Sequence, residues 1–212
     1  MSLTAQLQAV AEASSQKIPA EIQAVMQKAI DELENSNLLE KALKTGDTLP
    51  TITLPNAKGT QVSLQEKLNN GKKLVIAFYR GGWCPYCNVE LKALQNILPQ
   101  IEAAGAELIA ITPESPDNSL STAEKNELTF EVLTDKNNQL ANSLHLAYQL
   151  PEELNTIYKS FGIDLEQSQG NSDATLPIAA TYVIDTNGKV TYHFLKEDYK
   201  LRADTSAIIE AL

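Results

Sequence analysis

The segment from residue 74 to residue 111 constrains the fold of this chain most strongly. Leu74–Tyr79 (LVIAFY) is a continuous apolar run, which is typical of a strand buried on both faces. A helical pattern follows from Asn88 to about Ala104, and Glu107–Ile111 is a second buried strand pattern. A strand, a helix and a strand in this order predict parallel pairing with a right-handed crossover.

Shorter patterns around this unit predict an α/β protein. Further strands are expected at Thr51–Leu54, Gln61–Leu64, Glu131–Leu133, Ala180–Ile184 and Val190–Phe194. Helices are expected at Pro116–Glu127, Asn137–Tyr148, Pro151–Ser160 and Thr205–Leu212, with a loop at Phe161–Thr175. Asn187-Gly188 between the last two strands indicates a hairpin. The order favours a mixed sheet with helices on both faces.

Residues 1–45 contain helical patterns alone, and we expect an N-terminal helical extension before a domain of residues 46–212. Apolar residues recur at helical spacing from Ile22 to Leu33. Such a stripe either packs on the body of its own chain or serves as a dimerisation or partner-docking arm. Both interpretations stay open at this point.

Charge and hydropathy exclude several classes of function. The 212 residues carry a net charge of −10, and an acidic surface repels phosphate groups. Nucleic acids and anionic membranes are therefore not expected as partners. The N-terminus lacks a signal-peptide pattern, and no apolar run approaches the ~20 residues that span a bilayer. The sequence thus predicts a cytoplasmic protein.

The chain has two cysteines, Cys84 and Cys87, between the buried strand and the helix that follows. A helix N-terminus stabilises a thiolate, and this spacing in a cytosolic α/β protein is typical of a redox-active pair. Zinc needs about four ligands, and only His145 and His193 are available elsewhere, so we expect no metal. Chance packing of two thiols is the remaining alternative. No phosphate-binding glycine motif is present, and we expect no cofactor.

The stretch Phe78–Cys87 (FYRGGWCPYC) resembles the F-Y-P-x-x-x-T-x-x-C stretch of peroxiredoxins. These belong to the alkyl hydroperoxide reductase and thiol-specific antioxidant family of the thioredoxin superfamily. Glu90-Leu91 and the segments 112–114, 133–135 and 181–188 are similar to further landmarks of that family. The resemblance covers about residues 46–212. It implies a thioredoxin fold, a peroxide substrate, a thioredoxin-like or small-thiol reductant, and a homodimer.

The chain departs from the family at the pocket. Cys87 matches the peroxidatic cysteine, but Arg80 and Cys84 replace the proline and the threonine. Ala179 stands where the family has a later arginine. Arg80 and Arg202 are the only arginines, and either can supply a cation at the thiolate. The candidate catalytic residues are Cys84, Cys87 and Arg80, and the candidate pocket residues are Trp83 and Tyr86.

Three functions fit these residues. In a thiol peroxidase, one thiolate takes oxygen from a peroxide and then forms a disulfide with the other thiol. The sequence Cys-Pro-Tyr-Cys and the replaced pocket residues favour instead a thioredoxin-like thiol–disulfide oxidoreductase. A non-enzymatic redox sensor is the third hypothesis. The sequence does not assign which cysteine reacts first.

Overall fold

The computed structural model describes residues 1–212 and is built around a five-stranded sheet. The strands are β1 (Thr53–Pro55), β2 (Gln61–Ser63), β3 (Lys73–Phe78), β4 (Ala106–Thr112), β5 (Glu131–Thr134), β6 (Ala147–Gln149), β7 (Thr175–Pro177), β8 (Thr181–Ile184) and β9 (Val190–Phe194). The helices are α1 (Leu3–Lys17), α2 (Ala20–Glu34), α3 (Leu64–Asn69), α4 (Pro85–Ala103), α5 (Pro116–Lys125), α6 (Gln139–Ser143), α7 (Glu152–Ser160), α8 (Leu165–Gln169) and α9 (Thr205–Glu210). Two short 3₁₀ turns lie at Leu38–Lys41 and Lys136–Asn138.

Strand β3 lies at the centre of the sheet, whose order is β5-β4-β3-β8-β9. It pairs in parallel with β4 and antiparallel with β8. Strands β4 and β5 are parallel, and β8 and β9 form the antiparallel hairpin that Asn187-Gly188 predicts. The parallel β3-α4-β4 unit and the mixed sheet are as predicted.

The side chains of β3 alternate between two cores. Leu74, Ile76 and Phe78 belong to a cluster that includes Leu64 and Leu68 of α3. Val75 and Ala77 belong to a second cluster, which contains apolar side chains of α4 and α9. Helices therefore cover both faces of the sheet, as the apolar run of β3 requires.

The region between β5 and β8 differs from the sequence prediction. The helix predicted at Asn137–Tyr148 ends at Ser143, because β6 pairs with β7 across the intervening chain. The predicted loop Phe161–Thr175 contains α8, which begins where the Asp164 side chain accepts a hydrogen bond from the backbone N–H of Gln167. Short strands that pair with a distant segment, and helices of about one turn, show little periodicity in a sequence and are therefore hard to predict.

Two further element boundaries, the end of β2 and the start of α4, differ from the sequence prediction. The strand predicted at Gln61–Leu64 ends at Ser63, whose side chain caps α3 instead. Helix α4 begins at Pro85 and not at Asn88, because proline suits the first position of a helix, where no N–H partner is needed.

The N-terminal helices pack on the body of the same chain. Leu3 and Leu7 of α1 are buried in one cluster with Tyr86 and Cys87 of α4. The stripe of α2 lies against α7, and Met26 is among its contacts. The apolar faces of residues 1–45 thus contribute to the protein's own core. No helix of the structure has the length and apolar character needed to cross a membrane.

Candidate active site

The two cysteines lie in the first turn of α4. Cys84 is the N-cap residue, Pro85 occupies the first helical position, and Cys87 is the third residue of the helix. Both thiols are free, and their residues are 1% and 0% exposed. The positive end of the helix dipole favours a negative charge at this position.

The loop that leads into α4 is held by buried polar side chains. The backbone N–H of Gly82 donates a 2.9 Å hydrogen bond to Glu114, which also accepts one of 2.9 Å from the hydroxyl of Ser168. A Cβ atom at Gly82 would lie 1.9 Å from the hydroxyl oxygen of Thr122, so this position requires glycine. The Asn88 side chain donates to the carbonyl oxygens of Gly82 and Cys84, at 2.7 and 3.0 Å. These bonds fix the position of the N-cap.

Arg202 is the residue that the structure brings to Cys87. Its Nη2 donates to the Cys87 sulfur at 3.3 Å, and its Nε donates to Glu90 Oε2 at 2.5 Å. Backbone carbonyls of Tyr199 and Leu201 accept from Nη1. Arg202 and Glu90 are both buried. This guanidinium therefore has a fixed carboxylate partner and a fixed position against the thiol.

Arg80 is buried in a different setting, among aromatic rings. Its Nη2 donates to the hydroxyl of Tyr158 at 2.5 Å, and its Nε has no hydrogen-bond partner. The guanidinium carbon lies 4.2 Å from the ring centre of Tyr199 and 5.0 Å from that of Trp83. Arg80 forms none of the salt bridges of the structure. Cation–π contacts thus replace a carboxylate partner.

The surroundings shift the pKa values of the two cysteines in opposite directions. Burial raises the pKa of Cys84, but hydrogen bonding from the Cys87 thiol and the charges of Arg80 and Arg202 lower it to about 6. Burial, the hydrogen bond to Cys84 and the negative charge there raise the pKa of Cys87 well above its ordinary value. The environment thus favours the negative charge at Cys84 over Cys87.

Glu90 is the third ionisable group that this environment perturbs. Burial raises the pKa of Glu90 to about 7, against the opposing attraction of Arg202. Removal from water thus outweighs the ion pair in setting the pKa of this carboxyl.

Trp83 and Tyr86, the predicted pocket residues, flank the cysteines. Trp83 is partly exposed and tilts against Tyr158, with ring centres 5.6 Å apart. Tyr86 is buried and meets Tyr199 edge to face, also at 5.6 Å. All five candidate residues therefore lie in one cluster.

Sequence reasoning missed part of this cluster. Glu90 and Glu114 lie in segments that resemble the family, which was a usable signal. The sequence identifies Arg202 only as one of two available cations. Tyr158 and Tyr199 carried no local signal, because each reaches the site from a distant part of the chain.

Comparisons with known proteins identify the family. The model of the AhpC/TSA family matches residues 45–193, more than two thirds of the chain. The chain therefore belongs to the AhpC/TSA family.

Individual relatives are named peroxiredoxins. Peroxiredoxin Bcp of Escherichia coli (strain K12) is 26% identical over 158 residues, which cover 74% of this chain and 88% of that protein. The chloroplastic peroxiredoxin Q of Sedum lineare is 30% identical over 158 residues, covering 74% and 72%. The crystal structure of peroxidoxin BcpB from Mycobacterium tuberculosis superposes with a TM-score of 0.62 at 20% identity, covering 80% of this chain and 96% of that one. This likeness shows the thioredoxin fold that the sequence predicts.

Proposed function

We propose that this protein is a thiol-dependent peroxidase in which Cys84 attacks the peroxide and Cys87 forms the disulfide. Family membership and the peroxiredoxin relatives support the reaction class. The observation that carries the assignment of Cys84 is its position at the N-cap, where the helix, the Cys87 thiol and Arg80 all stabilise a thiolate. Only the thiolate is nucleophilic, so Cys84 is the reactive thiol at neutral pH.

The first step transfers one oxygen atom. The Cys84 thiolate attacks the terminal oxygen of the hydroperoxide, an S–O bond forms and the O–O bond breaks. Cys84 becomes a sulfenic acid, and the leaving alkoxide takes the proton of the Cys87 thiol to become an alcohol. Arg202 lies 3.3 Å from the Cys87 sulfur and stabilises the thiolate formed there.

The second step closes the disulfide. The Cys87 thiolate attacks the Cys84 sulfur, an S–S bond forms, and hydroxide leaves and is protonated to water. An external dithiol then reduces the disulfide and is itself oxidised. One peroxide and one dithiol thus give one alcohol, one water molecule and one external disulfide.

Single-turnover oxidation of the reduced protein tests this proposal. We expect hydrogen peroxide and an organic hydroperoxide to oxidise the protein with second-order rate constants far above that of a free thiol. Trp83, the only tryptophan, adjoins Cys84 and reports disulfide closure by fluorescence.

Two serine variants assign the roles of the cysteines. The Cys87→Ser variant should still react with peroxide and keep a sulfenic acid, whereas Cys84→Ser should lose the fast reaction. The reverse pattern would assign the attack to Cys87, which matches the family's peroxidatic position. Neither variant should sustain turnover with a dithiol.

A thiol–disulfide oxidoreductase is the second candidate function. The acidic first cysteine of Cys-Pro-Tyr-Cys at a helix N-terminus favours it. It predicts oxidation by peroxide at the rate of a free thiol and fast exchange with a disulfide substrate. The redox sensor is the third candidate, and an oligomeric state that does not change on oxidation would remove it.

The relatives support a peroxide substrate and a thioredoxin-type reductant. Finer statements stay predictions: a small thiol as alternative reductant, a homodimer, and no nucleic acid or membrane partner. The start of the family match at residue 45 supports the division into an extension of residues 1–45 and a domain of residues 46–212. A cytoplasmic location also stays a prediction, and reduced thiols are stable there.

A further inference from the structure

A cavity of about 290 Å³ lies between α2 and α7. Its volume is close to the lower end of the ~300–1,000 Å³ range of small-molecule pockets. The lining is mostly apolar or aromatic and includes Met26, Ala29 and Leu33 of α2, and Tyr148, Leu154 and Tyr158 on the other side. Arg80 also lines it, so the cavity reaches a buried cation of the candidate active site.

The charge of Arg80 is available to a ligand in this cavity. Glu32 and Glu197 line the cavity too, but neither forms an ion pair with Arg80. Arg80 is 1% exposed, and its Nε has no hydrogen-bond partner. A buried guanidinium with an unused donor favours an oxygen that carries or develops negative charge.

The cavity also lies beside the turn that carries the cysteines. The guanidinium carbon of Arg80 lies 5.0 Å from the ring centre of Trp83, the residue before Cys84. The ring of Tyr199, another lining residue, meets that of Tyr86, which lies between the two cysteines, with ring centres 5.6 Å apart. An apolar space and a cation without a carboxylate partner thus adjoin the turn that carries the cysteines.

We propose that this cavity receives the organic group of an alkyl or aryl hydroperoxide, and that α2 sets the preference for such substrates over hydrogen peroxide. This inference rests on the proposed peroxidase function. The O–O bond lies at Cys84, and Arg80 stabilises the alkoxide that leaves when the bond breaks. The apolar side chains of α2 hold the organic group out of water.

The wall formed by α2 is specific to this chain's N-terminal extension. The family model begins at residue 45, whereas α2 spans Ala20–Glu34. Substrate preference therefore comes from residues outside the part of the chain that matches the family.

Filling the cavity from α2 tests the inference. Ala29 lines the cavity, and Ala29→Phe places a ring in it. The reaction with cumene hydroperoxide should slow by about tenfold or more, as when a pocket excludes a substrate group. The reaction of the same variant with hydrogen peroxide should stay within about twofold, since that substrate has no organic group to exclude.

Matched variants keep this experiment decisive. Ala24 lies on the same helix but is exposed, and Ala24→Phe should leave both rate constants unchanged. Ala29→Val is a smaller addition that serves if Ala29→Phe does not fold, and it should give an intermediate, cumene-specific loss. Equal losses for both peroxides, or no loss for either, would overturn the inference while the proposed function stands. A wild-type protein that reduces no peroxide would overturn the proposed function, and this inference with it.

Discussion

The surroundings of Arg202 and those of Arg80 show two ways to bury a cation beside a thiol. Arg202 forms an ion pair with Glu90 at 2.5 Å and donates hydrogen bonds to backbone carbonyls. Arg80 is buried as deeply, but aromatic rings and one tyrosine hydroxyl surround it. The carboxylate of Glu90 offsets the charge of Arg202, whereas no carboxylate forms an ion pair with Arg80.

From this difference we expect separate tasks for the two arginines. A buried charge without a partner is costly, and a thiolate at Cys84 would lower this cost for Arg80. We therefore expect Arg202 to matter most for the stability of the site and Arg80 for the reactivity of Cys84.

Removal of Arg202 should have the largest effect on stability. Arg202→Met leaves Glu90 buried without its partner, and loss of one member of a buried ion pair costs about 3–5 kcal/mol. The unfolding free energy of the reduced protein at pH 8, measured by urea denaturation, should fall by this amount.

Removal of both charges provides the control. The double variant Glu90→Gln with Arg202→Met has no orphaned carboxylate, so it should recover most of the lost unfolding free energy. A double variant as unstable as Arg202→Met would mean that the contacts of Arg202 with the backbone, and not the charge of Glu90, dominate.

Removal of Arg80 should act on the thiol more than on the fold. Arg80→Met removes an attractive charge and should raise the pKa of Cys84 from about 6 by about one unit, or ~1.4 kcal/mol. Titration of the thiolate absorbance in the reduced protein measures this shift. Lys28→Met, which removes an exposed cation, should leave the titration unchanged.

The pH dependence of peroxide oxidation should follow the same thiol. Above about pH 6 Cys84 is mainly thiolate, and below it the rate should fall about tenfold per pH unit as the sulfur takes a proton. In Arg80→Met this fall should begin at a higher pH. Above about pH 9 both proteins hold the thiolate, so their rates should differ only by what Arg80 contributes at the leaving oxygen. A rate that stays constant down to pH 4 would contradict the assignment of Cys84.

Loss of the Tyr158 hydroxyl should have the smallest effect. Tyr158→Phe removes the hydrogen-bond acceptor of Arg80 but keeps the ring against Trp83. One such bond contributes about 0.5–1.5 kcal/mol to stability. The unfolding free energy should fall by this amount, with the pKa of Cys84 nearly unchanged. A large rise in that pKa would show that the hydroxyl, and not the surrounding aromatic rings, positions Arg80.

The local part of the site could be predicted from the sequence. An apolar strand, two cysteines and a helical pattern follow one another, so local geometry places Cys84 and Cys87 at a helix start. Arg80 belongs to the same stretch. Here the spacing of residues along the chain determines their positions in space.

The remainder depends on contacts between distant segments. Arg202 is 115 residues from Cys87, and Tyr158 is 78 residues from Arg80. Only the folded topology brings these residues together, and no periodic pattern in the sequence indicates the contacts. The pairing of β6 with β7 is not predictable from the sequence for the same reason, since a short strand is defined by its partner.

The placement of both sulfurs in one helical turn also bears on how the protein withstands its own substrate. A sulfenic acid at Cys84 has two fates: attack by Cys87, or a second peroxide that carries it to the sulfinic acid and ends the cycle. The first is intramolecular, and Cys87 lies within one helical turn of Cys84 at the start of α4. A thiol held next to the sulfenic acid reacts as if it were present at very high concentration, and so competes well with a second peroxide. High peroxide concentrations should therefore inactivate this protein slowly, because the two residues of the disulfide already lie in one helical turn.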